Sequence, residues 1–135
     1  MKIKAEKKIE GIGGWLLFYV VSLCFGALFS LIIIYRSMMD FFFGIPFLSV
    51  ALILFFVGAL NALVLVLERS PKAVFANVYL LAYDLLLSVV FAFFGWLIAG
   101  YSGGFLFRAA LSSLASLLWI AYWLKSKRVE NTFLK

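Results

Sequence analysis

Four apolar runs, each close to twenty residues long and almost free of charge, dominate the chain: residues 15–35, 47–67, 79–99 and 109–124. A helix of about 20 apolar residues spans the roughly 30 Å hydrocarbon core of a bilayer. Barrel strands need only about half that length and show apolar/polar alternation, which these runs lack. The pattern predicts an all-α integral membrane protein of four transmembrane helices in a single domain, residues 1–135. The connections, 36–46, 68–78 and 100–108, are short enough to favour antiparallel neighbours and an up-down-up-down bundle. Pro46 and Pro71 sit at or next to run starts, where a missing N–H costs little. Gly100, Gly103 and Gly104 punctuate the third connection. The first run is too long for a signal-peptide core and is expected to persist as a helix. No internal repeat or linker interrupts the layout.

Composition removes most chemistry. The chain is 67% hydrophobic and 13% charged, against roughly half apolar in soluble domains. It has no histidine and a single cysteine, Cys24. Clustered His and Cys ligand sets for zinc, haem or iron–sulfur groups therefore cannot form, nor can a nucleophile paired with imidazole. No phosphate-binding glycine loop is present. Neither a cofactor nor a catalytic residue is expected, and the protein reads as a non-enzyme.

The net charge of +6 does not point to nucleic acid, because the basic residues flank the runs instead of forming a patch interleaved with aromatics. They read as topology signals. Ten of the twelve Lys and Arg residues lie before the first run, in the 68–78 connection or after the fourth; Arg36 and Arg108 are the others. That asymmetry predicts both termini on the cytoplasmic side. Trp15, Trp119 and Trp123 then mark the inner aromatic belt, with Trp96 and Tyr101 at the outer one. The outer connection carries Phe41, Phe42 and Phe43 and is expected to lie along the interface, with Arg36 and Asp40 paired if it is helical.

Asp84 is the ionisable residue well inside a run. An aspartate at the bilayer centre costs roughly 2.5 to 3.5 kcal/mol on insertion scales, so it should face the bundle interior, find a donor, or be protonated. With Tyr79 and Tyr83 as belt residues it lies only about 7 Å below the surface; a helix starting at Ala73 would place it about 16 Å in. The shallower placement is preferred, since the longer helix would have to tilt. It puts Asp84 level with Asn61, Ser22 and Ser116, and a polar layer of these four is expected to hold the helices in register. Interhelical hydrogen bonds in membranes average about 0.6 kcal/mol, so the layer specifies packing more than it stabilises it. Small residues mark close approaches: Ser22, Gly26 and Ser30; Gly58 and Ala62; Ser88, Ala92, Gly95 and Ala99; Ala109, Ser112, Ser113 and Ser116. The phenylalanines at 55, 56, 91, 93 and 94 are expected to face lipid.

Both ends are aromatic-then-basic boundaries. Gly13-Gly14-Trp15-Leu16 opens the first run, and Trp119-Ile-Ala-Tyr-Trp123-Leu-Lys125-Ser-Lys127-Arg128-Val-Glu-Asn-Thr-Phe133 follows the fourth. Gly13, Gly14, Trp15, Trp119, Trp123, Lys125, Lys127 and Arg128 are therefore candidate interface anchors, the cations meeting anionic headgroups at roughly 1 kcal/mol each. At these residues the chain resembles the bacterial membrane family called domain of unknown function 2569, with its Gly-Gly-Trp-Leu start and Trp-Ile-x-Tyr-aromatic-Leu-x-Ser-x-Arg-Val-x-x-Thr-Phe ending. Ala121 stands where that pattern has proline. The resemblance implies a bacterial inner-membrane location and four spans, and supplies no activity.

Two functional expectations follow. The first is a non-enzymatic scaffold or accessory subunit whose partners are membrane lipids, another membrane protein or a second copy of itself. The second is a small proton- or cation-coupled transporter or channel that uses Asp84 with Asn61 assisting.

Overall fold

The computed structural model describes residues 12–39, 46–99 and 103–134. They form five helices and, among the described residues, no strand: α1 Trp15–Met39, α2 Pro46–Leu67, α3 Lys72–Ala99, α4 Gly103–Lys125 and α5 Lys127–Phe133. Four of these, α1 to α4, are long and apolar enough to cross a membrane. The Arg36–Asp40 pair, Phe41 to Phe43, Gly100 and Tyr101 lie outside what is described.

Helix α3 begins at Lys72, not at residue 79, and the α2–α3 turn explains why. Ser70 N–H donates to Leu65 O at 2.9 Å and Arg69 N–H to Val66 O at 3.1 Å, the paired bonds of a Schellman C-cap. Arg69 takes the left-handed position with φ 53°. Ser70 then starts the next helix, its carbonyl receiving Ala73 N–H at 2.9 Å, with Pro71 following it at the turn into α3. The stop and start signals are contiguous, which leaves no loop. Helix α4 likewise starts at Gly103 and takes in Arg108.

Buried positions on α1 recur every three or four residues, at Leu16, Tyr19 or Val20, Leu23, Ala27, Ser30 and Ile34. This is the seam of a helix packed along its length. Ser22 lies off it, exposed, its hydroxyl donating to Phe18 O at 2.8 Å. Steps of four residues advance about 40° beyond a full turn, so the expected Ser22–Gly26–Ser30 stripe winds out of the interface.

Helices α2 and α3 pack antiparallel. Gly58 admits Leu80, whose Cδ1 a Cβ at position 58 would meet at 3.1 Å, and Tyr83 OH donates to Ala51 O at 3.0 Å. Helices α3 and α4 are also antiparallel, in a register set by Ser88–Ser112 and Asp84–Ser116. After Ser126 adopts an extended conformation, α5 packs against α3 and α4. It inserts Val129 and Phe133, one turn apart, into the core around Trp123.

The bundle's outside is apolar too. Phe25, Leu54, Phe75, Leu86, Phe107 and Leu118 are all more than half exposed, on four different helices. Hydrocarbon suits such a surface and water does not.

Ala62 is 0% exposed, at the α2 seam. Ala62→Leu is expected to lower stability by about 1–3 kcal/mol through overpacking, whereas Val64→Leu on the exposed face changes it little. Thermal loss of the monodisperse peak in detergent measures both.

Candidate functional site

Two constellations carry the chain's polar chemistry. The first gathers both end motifs. Tyr19 of α1 is 3% exposed, and its hydroxyl donates to Asn77 Oδ1 of α3 at 2.8 Å. Its ring lies 4.9 Å from that of Trp119 and 5.3 Å from that of Trp123, both on α4 and both edge-on. One tyrosine thus ties three helices. Asn77 is itself fixed by donating from Nδ2 to Ala73 O at 2.7 Å. Trp15 and Trp119 approach at 6.5 Å, and Trp123 stacks at 5.5 Å on Phe133 of α5.

Glycines complete this contact. A Cβ at Gly13 would lie 2.8 Å from the Arg128 guanidinium, and Gly14 takes φ +54° beside the same group. The absent side chains make room for α5's arginine to lie on the backbone just before α1. Gly14 O then accepts from Phe18 N–H at 3.1 Å, opening the helix. Residues over a hundred positions apart thereby form one unit.

Among the expected anchors, Trp15 is 69% exposed and Trp123 only 1%. Trp123 is a core plug beneath α5, not a rim residue, because α5 folds over it. Arg128 is turned to the glycines, while Lys125 and Lys127 remain exposed. Trp119 is partly buried, and its ring contacts Trp15, Phe18, Tyr19 and Tyr122.

The second constellation centres on Asp84, which stands twelve residues after Lys72, near the middle of α3. That is about 18 Å along the axis from the helix start; Tyr79 and Tyr83 lie within the helix and do not mark its start. Asp84 Oδ2 accepts from Ser116 Oγ at 2.7 Å, and Ser116 is 3% exposed. The same hydroxyl lies 3.1 Å from Ser112 O. A hydroxyl has one proton and accepts through its lone pairs. With Asp84 ionised, Ser116 donates to the carboxylate; with Asp84 protonated, the carboxyl donates to Ser116, whose proton turns to Ser112 O. Both states are satisfied in place.

The four-residue layer is therefore reduced to Asp84 and Ser116. Asn61 is exposed and lines a groove of about 370 Å³ between α2 and α3, with Gly58, Tyr79 and Tyr83. Ser22 faces outward on α1. Tyr19, Asn77 and Tyr83 supply the cross-helix bonds that the layer was expected to provide. Asn77 was legible: it lies seven residues before Asp84, two helical turns away on the same face.

A cleft of about 230 Å³ between α1, α2 and α3 reaches Asp84, with Phe29, Phe55 and Phe91 in its wall. Phe55, Phe56 and Phe91 are half-buried and depart from the lipid-facing expectation, Phe55 and Phe56 packing in part against the core, whereas Phe93 and Phe94 are exposed. Among the described residues, no group of acidic residues and cysteine forms a metal site.

No family model, curated protein or solved structure matches the chain. What the two constellations can do is therefore argued from their own geometry.

Tyr19→Phe is expected to cost about 0.6–2 kcal/mol, because Asn77 Oδ1 loses its donor. Tyr19→Leu costs more, each edge-on ring contact adding about 0.5–1.5 kcal/mol. In an Asn77→Leu background the Tyr19→Phe penalty should shrink, and unfolding of the purified protein in detergent checks this cycle.

Proposed function

We propose that this is a non-enzymatic, multi-pass protein of a bacterial inner membrane, with both termini in the cytoplasm, acting as a scaffold or accessory subunit through lipid and partner contacts. The observation that carries this reading is the joining of the two end motifs, Gly13–Gly14 against Arg128 and Trp15 against Trp119. An assembled aromatic platform of this kind is a fixed surface, and it requires no chemistry that the side chains lack. Around the same end lie Arg69 of the α2–α3 turn, Lys72 at the start of α3, Lys125 at the end of α4 and Lys127 at the start of α5, all exposed. Four cations at one end of an apolar bundle suit an anionic cytoplasmic leaflet. The resemblance to domain of unknown function 2569 agrees with this location, and the end motifs that carry it are the residues that meet here.

A second reading, a small proton- or cation-coupled transporter, is favoured by one observation: the cleft that reaches Asp84, whose partner Ser116 satisfies both protonation states. A carboxylate in the middle of a spanning helix is costly unless it serves a purpose.

Sidedness is tested by single cysteines in a Cys24→Ser background. Cysteine at Ser102 should react with an impermeant maleimide from outside intact cells, and cysteine at Ser126 only after the cytoplasmic face is opened. The reverse pattern overturns the orientation. For the lipid contact, Lys125→Gln with Lys127→Gln should weaken retention on phosphatidylglycerol vesicles relative to neutral ones by about 2 kcal/mol, at roughly 1 kcal/mol per charge. Unchanged retention removes the headgroup role.

A further inference from the structure

We propose that the cleft between α1, α2 and α3 is a binding site for a lipophilic cation, an organic ammonium carrying an apolar or aromatic body. The assignment adds a ligand to the carboxylate reading above and rests on it for the role of Asp84. Its walls are apolar and aromatic, with Phe29, Phe55 and Phe91 on three different helices. The hydroxyls that line it are engaged elsewhere: Ser30 donates to Ala27 O and Ser88 to Ser112 Oγ. Asp84 supplies the charge, and among the described residues only its Oδ2 receives a donor, from Ser116. Among the described residues, no Lys or Arg lines the cleft, so none of them offers Asp84 a countercharge there.

A ligand that fits must bring a positive charge for Asp84 and apolar surface for the remainder. Phenyl faces attract cations, most strongly where water is excluded. An inorganic ion satisfies the carboxylate but leaves the apolar walls unfilled and finds too few oxygen ligands. A neutral lipid tail fills the walls but brings no charge to the ionised carboxylate, whose hydrogen bond from Ser116 does not neutralise it. Phe29 is 64% exposed at the edge of the cleft, so entry is from the hydrocarbon side, which an amphiphilic cation can reach. The volume, about 230 Å³, lies just below the range usual for drug-sized ligands and suits a compact head with one ring.

Gly26 makes the site testable without touching its charge. It lines the cleft, and a Cβ built there meets nothing within 4 Å. Gly26→Leu should fill the cleft and leave the bundle packed. The experiment is equilibrium dialysis of benzyltrimethylammonium against purified protein in dodecyl maltoside micelles, with empty micelles subtracted. Wild-type protein is expected to bind saturably. Asp84→Asn, which keeps shape and removes charge, should weaken binding about tenfold or more, and Gly26→Leu should weaken it comparably. Circular dichroism and gel filtration establish that both variants remain folded. No saturable binding by the wild type, or full binding by either folded variant, overturns the site. Saturable, Asp84-dependent binding without proton-driven uptake into vesicles retains the site and removes the transporter reading.

Discussion

Hydrocarbon offers no hydrogen bonds, and every polar group that enters it must bring its partner along. For the backbone, helices meet that demand residue by residue, which is why four long apolar runs become four rods. For side chains the demand is harder, and α3 carries most of it. Asn77, Tyr83, Asp84 and Ser88 project from this one helix and reach α1, α2 and α4 through Tyr19, Ala51, Ser116 and Ser112. Each bond is worth little by itself. Together they allow few alternative registers, because sliding α4 by one turn breaks two of these bonds, and sliding α1 or α2 breaks one, in a medium that cannot solvate the freed groups.

The two ends of the bundle are built differently. Where α1 begins and α4 finishes, aromatic rings, two glycines and a short amphipathic helix form a closed plug, with Trp123 at its centre. Further along, near the middle of α3, the packing gives way to a cleft beside Asp84. Trp123 illustrates the division: its indole nitrogen and the Tyr122 hydroxyl are buried without partners among the described residues. Ring burial outweighs those losses at the plug. At the waist, by contrast, Asp84 holds a hydrogen bond from Ser116.

Much of this was legible in the sequence, and the misses have physical causes. Run length alone gives four helices, since no other element satisfies the backbone over that distance. The short connections give antiparallel neighbours, as the Ser88–Ser112 and Asp84–Ser116 register shows. Tyr79 and Tyr83 look like belt residues and suggest a late start for α3, whereas the helix begins at Lys72, just after Ser70-Pro71. The earlier start places Asp84 near the middle of the helix and brings Asn77 into it, where it meets Tyr19. Asn61 and Ser22 were grouped with Asp84 by depth, yet depth does not fix the face of a helix. The α1 seam, with its spacings of three and four, carries that information. Trp123 and Arg128 resemble rim residues, but α5 folds over Trp123 and carries Arg128 onto Gly13 and Gly14, tertiary contacts that local pattern does not encode.

The most direct test of α3 as the organising helix is disulfide trapping in native membranes. In a Cys24→Ser background, Ser88→Cys with Ser112→Cys should cross-link rapidly under mild oxidant, since the native hydroxyls lie 3.0 Å apart and the bridge needs Cβ atoms about 4 Å apart. The pair Ser22→Cys with Asn61→Cys, on outward faces of α1 and α2, should not. Efficient bridging between positions 22 and 61, with none between 88 and 112, contradicts the register on which both constellations depend.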